Sequence, residues 1–209
     1  MRKIILLLLL TVTSLGYSQK KKTSKKTTST SKSVLAKLDN LSAEIITDKK
    51  GKKLVLFVTN GSSKDTLELK KIESVVFNPL NFTIKSFTTN GVKLYCLNWQ
   101  EKNAIETKVK KENQDIMESQ IWNIESKELL IGNTQKSSHI IETVFLDKNR
   151  TASETQERNR KEGFEFVLLP NGDVNLKNKT QNNTYSFQNS SMKYVINKAA
   201  ASKATKKRR

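Results

Sequence analysis

Apolar residues in the middle of the chain recur at every second position, in runs that turn-forming residues separate. A period of two is typical of a strand with one buried face. Asn90-Gly91 and Pro170-Asn171-Gly172-Asp173 each join two such runs, and both are strong turn signals. The runs lie at 43–47, 54–59, 66–69, 82–87, 92–97, 140–146, 164–169, 174–176, 185–187 and 192–196. This pattern predicts a mainly β fold, an antiparallel sandwich or barrel-like single domain with about ten short strands and little helix.

Residues 153–163 depart from this pattern. Ser153 and Gln156 have the spacing of a capping box, and Gly163 could end a helix. Oppositely charged residues also lie four apart here, in the order that supports a helix. The segment has no apolar face, so we predict a short exposed helix or a loop.

Two further segments are ambiguous. The apolar residues of 103–124 fit either a helical or a two-residue period, and we favour strands. Residues 33–41 begin with a serine and continue with apolar residues at helical spacing. They predict one amphipathic turn that docks on the body of the protein.

Three features, in the expected order, predict a secretory signal peptide over residues 1–18. Met1-Arg2-Lys3 is a positive start, and residues 4–10 form an unbroken apolar run. Gly16 and Ser18 are small residues at the two cleavage positions. A buried N-terminal helix or strand is the alternative, which this order disfavours. No run of about 18 apolar residues occurs, so no membrane span is predicted after cleavage. We expect an exported protein, either periplasmic or secreted.

The positive charge is concentrated near the two ends. The chain has 38 basic and 20 acidic residues, for a net charge of +18. Residues 19–33 hold six lysines and residues 198–209 hold six basic residues, with no acid in either. Residues 34–197 hold 24 basic residues and all 20 acids. We therefore predict a flexible Lys/Ser/Thr-rich linker at 19–33, a β-rich domain at 34–197 and a disordered basic tail at 198–209.

These two basic segments, which we call the arms, are candidate contacts for polyanions. Flexible lysines bind anionic polysaccharide, lipid surfaces or nucleic acid through counterion release, without sequence specificity. Neither arm contains an aromatic residue, so base stacking is not predicted. The alternative is that the arms are solvated spacers. The candidate contacts are Lys20, Lys21, Lys22, Lys25, Lys26, Lys206, Lys207, Arg208 and Arg209.

The chain contains one cysteine and one histidine, which restricts its chemistry. A disulfide framework and a thiolate-rich metal site are excluded, and we predict neither a metal nor a cofactor. Cys96 and His139 are the only potential Cys–His nucleophilic pair. In a strand, Cys96 would lie on the same face as Val92 and Leu94, which predicts a buried thiol. His139 follows polar residues in a turn-like segment and is predicted to lie in an exposed loop.

Other motifs give no firmer signal of catalysis. Residues 147–151 resemble the start of a calcium loop, but position twelve of that loop would be Arg158 rather than glutamate. No nucleophile elbow, Walker A or dinucleotide fingerprint occurs. The aromatic residues that could line a cleft are predicted instead to be core or cross-strand partners. They are Tyr95, Trp99, Trp122 and Tyr185.

Two classes of function remain. The first is an exported, non-enzymatic binding or envelope-associated module whose basic arms contact polyanions. The second is a small secreted hydrolase that uses a carboxylate pair, which the sequence cannot identify among 20 acids. The missing nucleophile and metal motifs favour the first class.

Overall fold

The computed structural model describes residues 34–49, 51–73 and 77–197, which form thirteen strands and no helix. The mainly β prediction is therefore confirmed, although the strands outnumber those expected and several are long. The predicted signal peptide and both arms lie outside the described residues. The strands are β1 (Val34–Leu38), β2 (Leu41–Asp48), β3 (Gly51–Asn60), β4 (Ser63–Ile72), β5 (Leu80–Thr89), β6 (Val92–Glu106), β7 (Lys110–Asn123), β8 (Glu128–Phe145), β9 (Ser153–Glu162), β10 (Glu165–Leu168), β11 (Val174–Lys177), β12 (Asn182–Gln188) and β13 (Lys193–Ile196).

The strands form three antiparallel sheets, each built from one continuous stretch of chain. β1–β4 form the first sheet, β5–β9 the second and β10–β13 the third. In every sheet the spatial order of the strands is their order in the sequence. Such a meander needs only hairpin connections between neighbours. We call the second sheet the middle sheet, because it packs against the other two.

The middle sheet separates two apolar cores. On one face of β6, Leu97 packs with Leu56 of the first sheet, in what we call the first core. On the other face, Cys96 packs with Phe187 of the third sheet, in the second core. Successive side chains of a strand point to opposite faces, so the unbroken buried run 94–97 marks a strand covered on both sides. The aromatic residues are core residues as predicted: Tyr95, Trp99 and Trp122 lie in the first core, and Tyr185 packs against the second.

The predicted hairpins are present. Asn90 and Gly91 have φ values of 49° and 80°, and they join Thr89 to its cross-strand partner Val92. Positive φ at both turn residues suits the right-handed twist of the flanking strands. The runs at 43–47 and 54–59 are the paired strands β2 and β3.

The prediction of a helix or loop at 153–163 is wrong, because residues 153–162 are strand β9. This strand pairs with β8 along its whole length, from Phe145↔Ser153 to Lys136↔Glu162. The local helix signals are each worth only about 0.2–0.5 kcal/mol. A complete ladder along the edge of the long strand β8 outweighs them, and no apolar periodicity marks the strand because nearly all of it is exposed.

The two ambiguous segments are both extended. Residues 103–124 belong mainly to β6 and β7, which confirms strands there. The amphipathic turn predicted at 33–41 is wrong, because the described residues of this segment form β1 and the start of β2. A two-residue turn at Asp39-Asn40 reverses the chain, with Asp39 at φ 52°. The apolar residues pack through strand pairing rather than through a helical face.

Candidate functional site

The structure separates the two residues of the potential Cys–His pair. Cys96 is 2% exposed, and burial raises the pKa of its thiol. His139 lies in strand β8, so the prediction of a loop there is wrong. Its ring Nδ1 is 3.1 Å from the side-chain oxygen of Asn159. On the shared neighbour β7, Cys96 pairs with Ile121 and His139 with Asn113. Eight residues of strand are roughly 26 Å, so the thiol and the imidazole cannot act together.

A carboxylate pair does occur, between the first sheet and the middle sheet. Lys70 of β4 places its Nζ 2.7 Å from Glu101 and 2.9 Å from Glu118. The Trp99 indole N–H donates to Glu101 at 2.7 Å, and the Thr134 hydroxyl donates to Glu118 at 2.7 Å. Burial tends to lower the pKa of Lys70, but the two carboxylates outweigh it, so the pKa is raised. The cluster acts as an ionic link between two sheets.

Glu112 is another buried acid, on the face of β7 that also carries Glu118. Its carboxylate lies 2.6 Å from Lys110 and accepts a 2.7 Å hydrogen bond from Gln114. The lysine, followed by the glutamine, lowers the pKa of Glu112 to about 2. Glu112 is therefore ionised at neutral pH and cannot serve as a general acid there.

A cleft of about 420 Å³ lies between the far edge of the middle sheet and the third sheet. We call it the lysine cleft. Its principal lining residues come from the end of β9, the start of β10 and the loop after β11. They are Lys161, Gly163, Glu165, Lys177, Asn178 and Lys179.

Two local features fix the walls of the lysine cleft. Gly163 has φ +79°, and a Cβ at this position would lie 2.1 Å from the Thr134 carbonyl oxygen. Only glycine lets the chain pass this close to β8. On the opposite wall, the Asn178 side-chain oxygen accepts hydrogen bonds from the backbone N–H groups of Thr180 at 2.9 Å and Gln181 at 2.7 Å. This Asx turn positions the lysines on either side of it.

The lysine cleft has an excess of uncompensated positive charge. Within the described residues, Lys161, Lys177 and Lys179 have no carboxylate within 4 Å. The wall residue Glu162 is already neutralised by Lys136, at 3.0 Å, and by Arg160. Three exposed ammonium groups thus face one remaining acid, Glu165, which suits an anion.

A second cleft, of about 370 Å³, adjoins the first on the same face of the middle sheet. We call it the sheet groove, and Gln135 lines both clefts. The strand register shows its floor: Lys102 pairs with Asp115, Asp115 with Ser137, and Ser137 with Lys161. The other residues that line the groove are Gln100, Ile116, Met117 and Gln135. Most of the lining side chains are polar, with Lys102 at one end and Lys161 of the lysine cleft beyond the other.

The sequence did not indicate these lysines as a site. The proposed arm contacts, Lys20, Lys21, Lys22, Lys25, Lys26, Lys206, Lys207, Arg208 and Arg209, lie outside the described residues. Lys161 and Lys177 are visible as charges in the sequence, but they belong to different sheets. Only the packing of those sheets makes them neighbours.

No protein-family model, curated protein or solved structure matches this sequence. Among the residues that the structure describes, no group of three or more His, Cys, Asp and Glu side chains could hold a metal ion. No helix in that part of the chain has the length and apolar character needed to cross a membrane. The functional argument therefore depends on charge and geometry.

Proposed function

We propose that this protein is an exported, non-catalytic module that binds an anionic polymer. The observation that carries the proposal is the partition of charge: the two arms hold twelve basic residues and no acid. The arms would provide attraction that acts over the Debye length, about 8–10 Å at physiological salt. The unpaired lysines of the lysine cleft support the same ligand chemistry at short range.

The alternative function, a hydrolase with a carboxylate pair, has a specific candidate in Glu101 and Glu118. A glycosidase needs one carboxylic acid to give a proton and a second carboxylate to attack or to activate water. Here both carboxylates contact the same ammonium of Lys70, and each accepts a further hydrogen bond. These contacts engage both carboxylates in holding the two sheets together, which favours a structural role, so we prefer the binding module.

The test of the arms is a salt titration with the mature chain on heparin and on duplex DNA. In the test variant, the nine candidate arm residues are changed to glutamine. Each neutralised DNA phosphate contributes about −0.9 to the log–log slope of affinity against salt, so the loss of four contacts changes the slope by about 4. We expect the variant to show a much flatter slope.

The matched control changes the seven lysines among these nine residues to arginine, which keeps the charge. This control should retain the slope of the parent protein, because the slope counts the phosphates that are neutralised and each arginine carries the same charge as the lysine it replaces. If the glutamine variant has the same slope as the parent, the arms do not bind polyanions and the proposal fails.

Export is tested separately, by mass spectrometry of protein purified from its native source. We expect an N-terminus at Gln19, which follows the small residues Gly16 and Ser18. Cytoplasmic protein that retains Met1 would contradict the proposed localisation.

A further inference from the structure

We infer that the sheet groove and the lysine cleft together form one binding site for a segment of an anionic polysaccharide. This inference takes its ligand class from the proposed function and adds a site on the folded body. The sulfate or carboxylate groups of the polysaccharide would contact the lysines at the two ends. Its hydroxyl groups would contact the amide and hydroxyl side chains between them.

The site exists because the middle strands are longer than the sheet that covers them. β6, β7 and β8 have 15, 14 and 18 residues, whereas β10, β11 and β13 have four each and β12 has seven. The second core joins the third sheet to the part of the middle sheet around Leu94, Cys96 and Ile121. Beyond that core, the same face continues as the polar floor of the sheet groove.

The strand register gives the site its length. Lys102, Asp115, Ser137 and Lys161 are successive cross-strand neighbours on β6, β7, β8 and β9. Neighbouring strands lie about 4.8 Å apart, so the backbone positions of Lys102 and Lys161 are separated by roughly 14 Å. The lysine cleft extends the row beyond β9 to Lys177. An elongated ligand can therefore lie across the strands.

The charge pattern favours a polysaccharide over a nucleic acid. Lys102, like the three lysines of the cleft, has no carboxylate within 4 Å among the described residues. Asp115 and Glu165 interrupt the positive surface, and the sugars of a DNA backbone have no free hydroxyl to donate to them. The carboxylate oxygens can instead accept hydrogen bonds from the hydroxyl groups of a polysaccharide. No aromatic side chain is among the described residues that line the two clefts, so bases would have nothing to stack on there.

The experiment uses the mature protein with the nine candidate arm residues changed to glutamine, so that binding by the arms does not mask binding by the β-rich domain. A short heparin-derived oligosaccharide presents sulfates, and oligogalacturonate presents carboxylates. Calorimetric titration with each shows which anionic group the site prefers. A single-stranded oligonucleotide of similar length and charge is the comparison ligand.

The test variant is the triple substitution Lys161→Gln, Lys177→Gln and Lys179→Gln. The control is Lys37→Gln, Lys49→Gln and Lys71→Gln, which removes three exposed charges from the first sheet and its turn. We expect the test variant to lose about tenfold or more in affinity for the preferred oligosaccharide, because it removes charged hydrogen-bond donors. The control should lose less than about twofold, through net charge alone.

Three results would overturn the inference: equal losses in the two triple variants, failure of the parent protein to bind either oligosaccharide, or equal or tighter binding of the oligonucleotide. As a local measure, backbone amide NMR signals of Gln135 and Ser137 should shift on binding. The salt slope of the full arms on long polymers tests the proposed function independently. The arms can therefore prove to bind polyanions even if this site does not, and this site can bind an oligosaccharide even if the arms do not.

Discussion

Cys96 and Leu97 are consecutive residues of β6, yet their side chains are buried in different cores. Cys96 is 2% exposed and packs towards the third sheet, whereas Leu97 is fully buried towards the first. β6 is therefore the strand on which both cores are built. A change of volume at either position affects the packing of a different pair of sheets.

The buried position of Cys96 predicts an unreactive thiol. Burial raises the pKa of this thiol, and a reagent can reach it only when the second core opens. We expect a disulfide reagent such as DTNB to label native protein more slowly than urea-unfolded protein, by about 100-fold or more. A Cys96→Ala/Ser190→Cys variant, with its thiol at an exposed position, is the positive control. Rapid labelling of the native parent would place Cys96 outside a closed core.

The ionic link at Lys70 predicts a large loss of stability on substitution. Lys70→Met leaves Glu101 and Glu118 mostly buried without their shared cation. We expect a loss of about 2–4 kcal/mol in the free energy of unfolding, measured by urea denaturation at pH 7. The control is Lys93→Met, which removes an exposed pair with Asp39 and should cost much less than Lys70→Met, because solvent screens an exposed ion pair.

A second substitution identifies the cause of that loss. Adding Glu118→Gln to Lys70→Met removes one of the two uncompensated carboxylates, so the double variant should be more stable than Lys70→Met alone. If the two substitutions are simply additive in their cost, the carboxylates are not coupled through Lys70.

We predict that Glu112 contributes to the free energy of unfolding in a way that depends on pH. Its pKa falls from an ordinary value of 4.5 to about 2 in the folded protein, chiefly because of Lys110. The contribution is fully present above the unfolded pKa and is lost as the pH falls from about 4.5 to about 2. We therefore expect Glu112→Gln to lower the urea midpoint more at pH 7 than at pH 3.

The titration of Glu112 can also be followed directly. Carboxyl NMR should give a midpoint near 2 in the parent protein and a higher midpoint after Lys110→Gln. A parent midpoint near 4.5 would contradict the ion pair in solution.

Gly163 predicts a strict requirement for glycine at the turn between β9 and β10. Alanine there would combine a positive φ with a Cβ 2.1 Å from the Thr134 carbonyl oxygen. We expect Gly163→Ala to cost about 3 kcal/mol or more in urea unfolding, because the backbone of β8 must move. Gly61→Ala is the matched control: its φ is +60°, but nothing lies within 4 Å of the added Cβ, and it should cost about 1 kcal/mol. Equal losses of stability in the two variants would mean that the backbone around Gly163 moves to accommodate the added Cβ at little cost.

Much of the strand structure could be predicted from the sequence, because alternation and turn chemistry are local. Asn90-Gly91 determines its hairpin through the backbone freedom of two residues. The three-layer packing could not be predicted in this way. Alternation says which residues share a face, but not which sheet covers that face. The run 94–97 carried a partial signal, because a strand buried on both sides loses its alternation.

The candidate site was less predictable than the fold. Lys102 and Lys161 are 59 positions apart in the sequence and meet on one face only through the registers of three strand pairs. A shift of one residue in any of these registers would move one lysine to the opposite face. Lys177 reaches the same site through the packing of another sheet. Local charge patterns contain none of this information.

The meander order has a consequence for the emergence of the chain during synthesis. Each sheet can complete its hydrogen bonding as soon as its own segment is free, since no strand waits for a distant partner. The apolar side of β1–β4 nevertheless remains exposed to solvent until residues 95–99 have been synthesised and pack against it. The chain is therefore most prone to aggregation after the strands of the first sheet have paired and before the middle sheet packs against it. A chaperone that shielded Leu54, Leu56 and Leu67 during that interval would prevent aggregation without having to unfold anything.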